Sequence, residues 1–173
     1  KINVSAACFV PKPFTPFQWV SQNSMDEFYD KANSLKREVK DKKISLSYHE
    51  PKLSYLEAVF ARGDRRLSKA LIKAWEDGCR FDGWYDMFDF NKWMNAFEET
   101  NTDPNFFALR QRKLTEVLPW DFIDIGVNKD YLISEYEKAL GCATTPDCRI
   151  KCTNCGVNVN LIGGACPHVR NNM

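Results

Sequence analysis

No apolar run in this sequence approaches the roughly 20 residues that a membrane-spanning helix requires, and no signal peptide is visible. An excess of charge of one sign is missing as well: 24 Lys and Arg stand against 23 Asp and Glu, a net charge of +1. That balance leaves no general electrostatic case for nucleic acid or an anionic membrane as a partner. Internal repeats and low-complexity linkers are absent too.

What is present is a chain of 173 residues, 44% hydrophobic and 13% aromatic. That is enough for one sizeable core, one to one and a half domains, and it argues against disorder. Seven cysteines are unevenly placed: Cys8 and Cys79 stand alone, while Cys142, Cys148, Cys152, Cys155 and Cys166 crowd the tail. An odd count with a CxxC inside it points to metal binding in a cytoplasmic protein rather than to a disulfide framework.

The opening stretch is distinctive. Ile2–Val10 reads as a strand and runs directly into Pro11-Lys12-Pro13-Phe14-Thr15-Pro16-Phe17-Gln18-Trp19. Three closely spaced prolines can neither continue a helix nor donate to a sheet ladder, so the segment leaves the strand as a stiff loop. A rigid loop at the carboxyl end of a buried strand is where α/β barrels and open sheets place their sites. Lys12, Thr15, Gln18 and Trp19 are therefore candidates for substrate or cofactor contact; the alternative is that Phe14, Phe17 and Trp19 pack the loop down. Because the pattern opens inside a strand, we expect a C-terminal piece of a larger protein, with this strand pairing to strands outside the sequence.

Downstream, Ser24 and Glu27 form a capping box for an amphipathic helix over Met25–Lys40. Ile44–Tyr48 alternates as a strand. A second capping box, Ser54 with Glu57, starts a short helix through Phe60, closed by Gly63. Asp64 caps the next helix, whose inner face is Leu67, Leu71, Ala74 and Trp75. Asn91–Thr100, a short helix from Pro104 through Arg110, and a helix from Asn128 to Leu140 follow. The aromatic group Trp75, Phe81, Trp84, Tyr85, Phe88, Phe90 and Trp93 reads as core, since no basic stripe beside it suggests base stacking.

Several blocks carry a family resemblance. Ser5–Trp19, then Phe60-Ala61-Arg62-Gly63-Asp64-Arg65-Arg66-Leu67, then Ala74-Trp75-x-x-Gly78-Cys79-x-Phe81-Asp82, and finally Leu118-Pro119-Trp120-Asp121-x-Ile123-Asp124-x-Gly126-Val127 occur in that order. The chain resembles, over nearly its whole length, the C-terminal part of one family of B12-binding-domain-type radical SAM proteins. The resemblance implies a mainly helical chain with little β: the last strand of an α/β, TIM-like radical SAM barrel with its proline loop (1–24), a helical extension (25–141) and a Cys-rich zinc-knuckle-like tail (142–173). It implies that the full protein, with an N-terminal barrel in the same polypeptide, uses a 4Fe-4S cluster and S-adenosylmethionine, with cobalamin as a further candidate, for radical oxidoreductase chemistry or methyl or sulfur-group transfer.

The tail carries the strongest chemical signal. Cys148-x3-Cys152-x2-Cys155 is followed by Cys166-x-His168. Four thiolates from Cys148, Cys152, Cys155 and Cys166 complete a tetrahedral zinc site, with His168 or Cys142 as alternative ligands; iron–sulfur ligation is the competing reading. In the family the tail places a further Cys where this chain has Asn158. Radical SAM chemistry needs a CxxxCxxC loop near the start of the barrel, and Cys148, Cys152 and Cys155 have that literal spacing. They follow a helix late in the chain and have other ligands nearby, so we read them as structural and the chain as not catalytic alone.

In Arg62-Gly63-Asp64-Arg65-Arg66, Arg62, Arg65 and Arg66 are candidates to seat a phosphate or carboxylate at a helix start; the alternative is a turn in which Asp64 caps and the arginines are solvated or paired with Glu57. His49 is a lone histidine after a strand, more in keeping with a cap or surface role than with function. Asp121 and Asp124 read as loop closure rather than an acid–base pair. The competing function is a zinc-stabilised helical module that docks RNA or a protein partner, with Arg149, Lys151 and Arg170 as its thin basic face.

Overall fold

The computed structural model describes residues 1–163. The expected strand at the start forms over Ile2–Ala6 (β1), ending four residues short of the expected Val10. Its partner lies within the chain: β2 (Ile44–Tyr48) pairs with it in parallel, Ile2 opposite Ile44 and Ala6 opposite Tyr48. A parallel pair needs a long crossover, and α1 (Met25–Glu38) supplies it. The capping box forms as read: the Glu27 amide donates to Ser24 Oγ at 3.2 Å, and the Ser24 amide donates to Glu27 Oε2 at 2.7 Å. Phe28 and Ala32 face inward from α1.

Helix α2 (Pro51–Ala61) begins a turn earlier than the Ser54 reading, because Pro51 occupies the first helical position and the Glu50 carboxylate caps it through the Lys52 amide. Ser54 is thereby buried within the helix, and its carbonyl accepts from Gln22 Nε2 at 2.9 Å. Gly63 follows for steric reasons. A Cβ there would lie 2.0 Å from Leu67 Cδ1 and 2.7 Å from the Val59 carbonyl oxygen. Asp64 then caps a 3-10 turn, Arg65–Leu67, that leads into α3 (Ser68–Glu76).

The inner face of α3 is Leu67, Ala70 and Ala74, while Leu71 and Trp75 are half exposed or more. The expected face is therefore rotated, because the two alanines let α3 lie close to α4 (Phe90–Glu99), whose Trp93 and Phe97 fill the shared core. The short α5 (Pro104–Ala108) adds Phe107 and Ala108. Phe60 meets Trp93 edge to face at 5.3 Å, an arrangement the ring quadrupoles favour.

Of the connecting aromatics, only Trp93 is fully buried. Trp75, Phe81, Trp84 and Tyr85 stand 59–75% exposed, so the expectation of a continuous aromatic core fails there. The segment after Cys79 is turns rather than helix and offers Phe81, Trp84 and Tyr85 no periodic face to bury, while Trp75 lies on the outer side of α3.

Two compact units result. The first joins Lys1–Pro11 to Val20–Gln111 and holds every element named so far. In the second, the proline loop Lys12–Trp19 joins the described residues from Arg112 onward, around α6 (Lys129–Leu140) and a core of Trp19, Leu118, Trp120 and Leu132. Among the described residues no helix is long and apolar enough to cross a membrane.

Candidate functional site

The proline loop is rigid for a definable reason. Phe14 adopts the left-handed conformation, φ 59°, and its amide donates to Gln18 Oε1 at 3.0 Å. The same oxygen accepts from the Trp120 indole at 2.7 Å. Thr15 Oγ1 donates to the Lys12 carbonyl, and the Gln18 amide to that of Thr15. Gln18 and Trp19 are almost fully buried and serve the packing of their unit; Lys12 is exposed and Thr15 half-buried.

The carboxyl ends of the two parallel strands bring other groups together. The His49 amide donates to the Ala6 carbonyl and extends the ladder past β2. Cys8 Sγ donates to the His49 carbonyl at 3.7 Å, and Tyr29 Oη donates to Glu50 Oε1 at 2.6 Å. A cavity of about 460 Å3 opens beside them, lined by Tyr48, His49, Glu50, Ser54, Glu57 and Tyr85. The hydrogen bond to Glu50, with burial, pushes the Tyr29 hydroxyl up to about 12. Burial raises the Cys8 thiol, the Glu50 charge adds to this, and a hydrogen bond with Ser54 opposes it. Cys8 is thus a protonated S–H donor at neutral pH, not a thiolate nucleophile. Sequence reading passed over Cys8, Tyr29 and Glu50; the available signal was that Cys8 and Glu50 each sit two residues beyond a parallel strand.

The arginine turn splits into two roles. Arg62 is fully buried. Its guanidinium donates to the carbonyls of Ala108 and, at 2.8 Å, Arg110. These lie at the carboxyl end of α5, where unsatisfied carbonyls and the helix dipole favour a cation. That position leaves Arg62 inside the fold rather than at a ligand surface. Arg65 and Arg66 are exposed, and Arg66 pairs in two-pronged fashion with Asp64.

The acids of the Leu118–Val127 block close turns, as read. Asp121 accepts from the Leu118 amide and pairs with Lys129 at 2.6 Å, and Asp124 accepts from the Gly126 amide. In the tail, Arg149 is held by Asp147, which spends one of the three charges of the basic face.

The Cys152–Cys155 turn is anchored to the start of α6. The Asn128 amide donates to the Cys155 carbonyl at 2.8 Å, and Thr153 Oγ1 to Tyr131 Oη at 3.3 Å. Asn154 and Gly156 take left-handed conformations, φ 58° and 104°, and a Cβ on Gly156 would lie 2.7 Å from the Asn128 side chain. Cys152 and Cys155 are half-buried, while Cys142 and Cys148 are exposed. Soft thiols on such a turn suit zinc chemically. Among the described residues, however, no three Cys, His, Asp or Glu side chains are gathered around one point. Cys166 and His168 lie outside the described residues.

No family model, curated protein or solved structure matches this chain.

Proposed function

We propose that this chain supplies adjacent strands, and the helical and Cys-rich C-terminal region, of a radical SAM enzyme of the B12-binding-domain type. The observation that carries the reading is an incomplete parallel sheet: β1 leaves Ile2 60% and Val4 40% exposed, with β2 as its partner among the described residues. Parallel sheets are ordinarily covered on both faces, and two strands alone are marginal in water. Further strands of the same polypeptide would cover this surface in an α/β barrel. The ordered sequence blocks support the radical SAM class in particular.

On this reading the carboxyl ends of β1 and β2 form part of the barrel mouth. Glu50 orients Tyr29, and Cys8 keeps its proton beside them. A 4Fe-4S cluster with S-adenosylmethionine supplies the radical-generating cleavage when bound, and cobalamin fits the same class for methyl transfer. The three cysteines of the cluster belong to another part of the barrel, because Cys148, Cys152 and Cys155 follow a helix late in the chain and have Cys166 and His168 close after them in sequence. Zinc is the group we assign to the tail, on Cys152 and Cys155 with Cys148 and Cys166, or with His168 or Cys142 in place of one of these.

The test uses the polypeptide of the complete reading frame, purified without oxygen. We expect brown protein with about four iron and four sulfide in the cluster, and release of 5′-deoxyadenosine from S-adenosylmethionine under a low-potential reductant. Colourless protein that leaves S-adenosylmethionine intact overturns the reading.

A further inference from the structure

A cleft of about 660 Å3 lies beside the 3-10 turn and the start of α3, remote in sequence from the strand ends. Arg65, Arg66 and Lys69 line it together with Asn101, Asp103 and Phe106. Three cations thus line the cleft with one carboxylate, Asp103, which accepts from the Asn105 amide at 2.9 Å to cap α5; a second carboxylate, Asp64, pairs with Arg66. Arg66 is held ready: Asp64 grips its guanidinium, which lies 4.9 Å over Phe106 and 5.2 Å over Phe107. Arg110 covers Phe106 as well, at 4.6 Å. Arg65 and Lys69 make no ion pair or side-chain hydrogen bond among the described residues, and neither does the Asn101 side-chain carboxamide.

We propose that this cleft binds a phosphate-bearing small molecule of nucleotide size, with Arg65, Arg66 and Lys69 on the phosphate oxygens. Four chemical facts lead there. Guanidinium forks match phosphate oxygens in pairs. A cleft of several hundred cubic ångströms suits a ligand larger than a bare anion. Asn101 offers a donor and an acceptor to the polar, uncharged part of such a ligand. Arg66, pinned between Asp64 and two aromatic rings, loses little conformational freedom on binding. The site does not depend on the barrel reading, because no residue of β1 or β2 lines it.

Calorimetric titration of the 173-residue chain with adenosine diphosphate, and separately with inorganic pyrophosphate, tests the assignment. The expected result is one saturable site that weakens as salt rises, with the nucleotide bound more tightly than pyrophosphate. Arg65→Ala and Lys69→Ala each weaken it by about tenfold, the scale of one charged hydrogen bond. Both side chains are exposed, and unchanged thermal unfolding of the variants confirms that the fold persists. Absence of saturable binding, or binding indifferent to both variants, overturns the site. Pyrophosphate bound as tightly as the nucleotide overturns its size class, and so does a short RNA oligomer bound far more tightly than either.

Discussion

The Gln18 side-chain oxygen accepts a hydrogen bond from the Trp120 indole at 2.7 Å, across 102 residues of sequence. The same atom accepts from the Phe14 amide and so holds the loop's left-handed residue in place. One buried carboxamide therefore sets both the conformation of the proline loop and its attachment to the Trp120 core.

Gln18→Leu should remove both bonds while keeping most of the volume. One buried and one part-buried donor left unpaired cost about 2–4 kcal/mol together. Denaturant unfolding followed by tryptophan fluorescence measures this. A loss below about 0.5 kcal/mol, within the range of an ordinary surface substitution, would show that the loop is held by its prolines alone.

Arg62 is expected to be structural, and Arg65 not. Arg62→Met strips a charged donor from two carbonyls at the end of α5 and should cost about 3 kcal/mol. Arg62→Lys should recover only part of that, since an ammonium cannot fork between the Ala108 and Arg110 carbonyls. Arg65→Ala should leave stability within about 0.5 kcal/mol of the parent. Equal losses at Arg62 and Arg65 would contradict the division.

Gly63→Ala places a methyl group against Leu67 and the Val59 carbonyl. Overpacking of this kind costs about 1–3 kcal/mol. Leu67→Ala in the same background should return part of the loss through relieved overlap, which a double-mutant cycle detects as non-additivity. Strict additivity would mean that the turn accommodates the methyl by moving as a whole.

Alkaline pH should weaken the fold through tyrosine. Tyr29 and Tyr55 are pushed up to about 12 in the folded chain, Tyr29 by its bond to Glu50 and Tyr55 by burial. The unfolded value is near 10. Their contribution is therefore complete below pH 10 and is lost as pH rises from about 10 toward 12. Tyr29→Phe should flatten that loss, read from unfolding midpoints across the range and from phenolate absorbance. A titration of Tyr29 near 10 would contradict the Glu50 contact.

Local signals in the sequence were accurate where chemistry acts over a few residues. The Ser24–Glu27 box and the Ile44–Tyr48 alternation appear as read, while Asp64 caps the 3-10 turn ahead of α3 rather than α3 itself. Ser54 misled because Pro51 outcompetes a capping box as a helix start, and Trp75 misled because small Ala70 and Ala74 set the closer packing face. Long-range partners were not legible. Nothing local marks Gln18 as the acceptor for Trp120, or Arg62 as the cap of a helix more than 40 residues onward. The cationic cleft was half visible, in Arg65 and Arg66, while Lys69, Asn101 and Phe106 join it through the fold alone.

Amide hydrogen exchange at Asn3 and Ser5 tests the central claim most directly, compared between the 173-residue chain and the polypeptide of the complete reading frame. Ile2 donates to the Lys43 carbonyl of the β2 side, so the alternate amides of Asn3 and Ser5 face away from β2. If β1 is one strand of a larger parallel barrel, its exposed amides exchange rapidly in the isolated chain and become protected by orders of magnitude in the complete polypeptide. Equal exchange in both would mean that β1 has no further strand beside it, and the barrel assignment would fall.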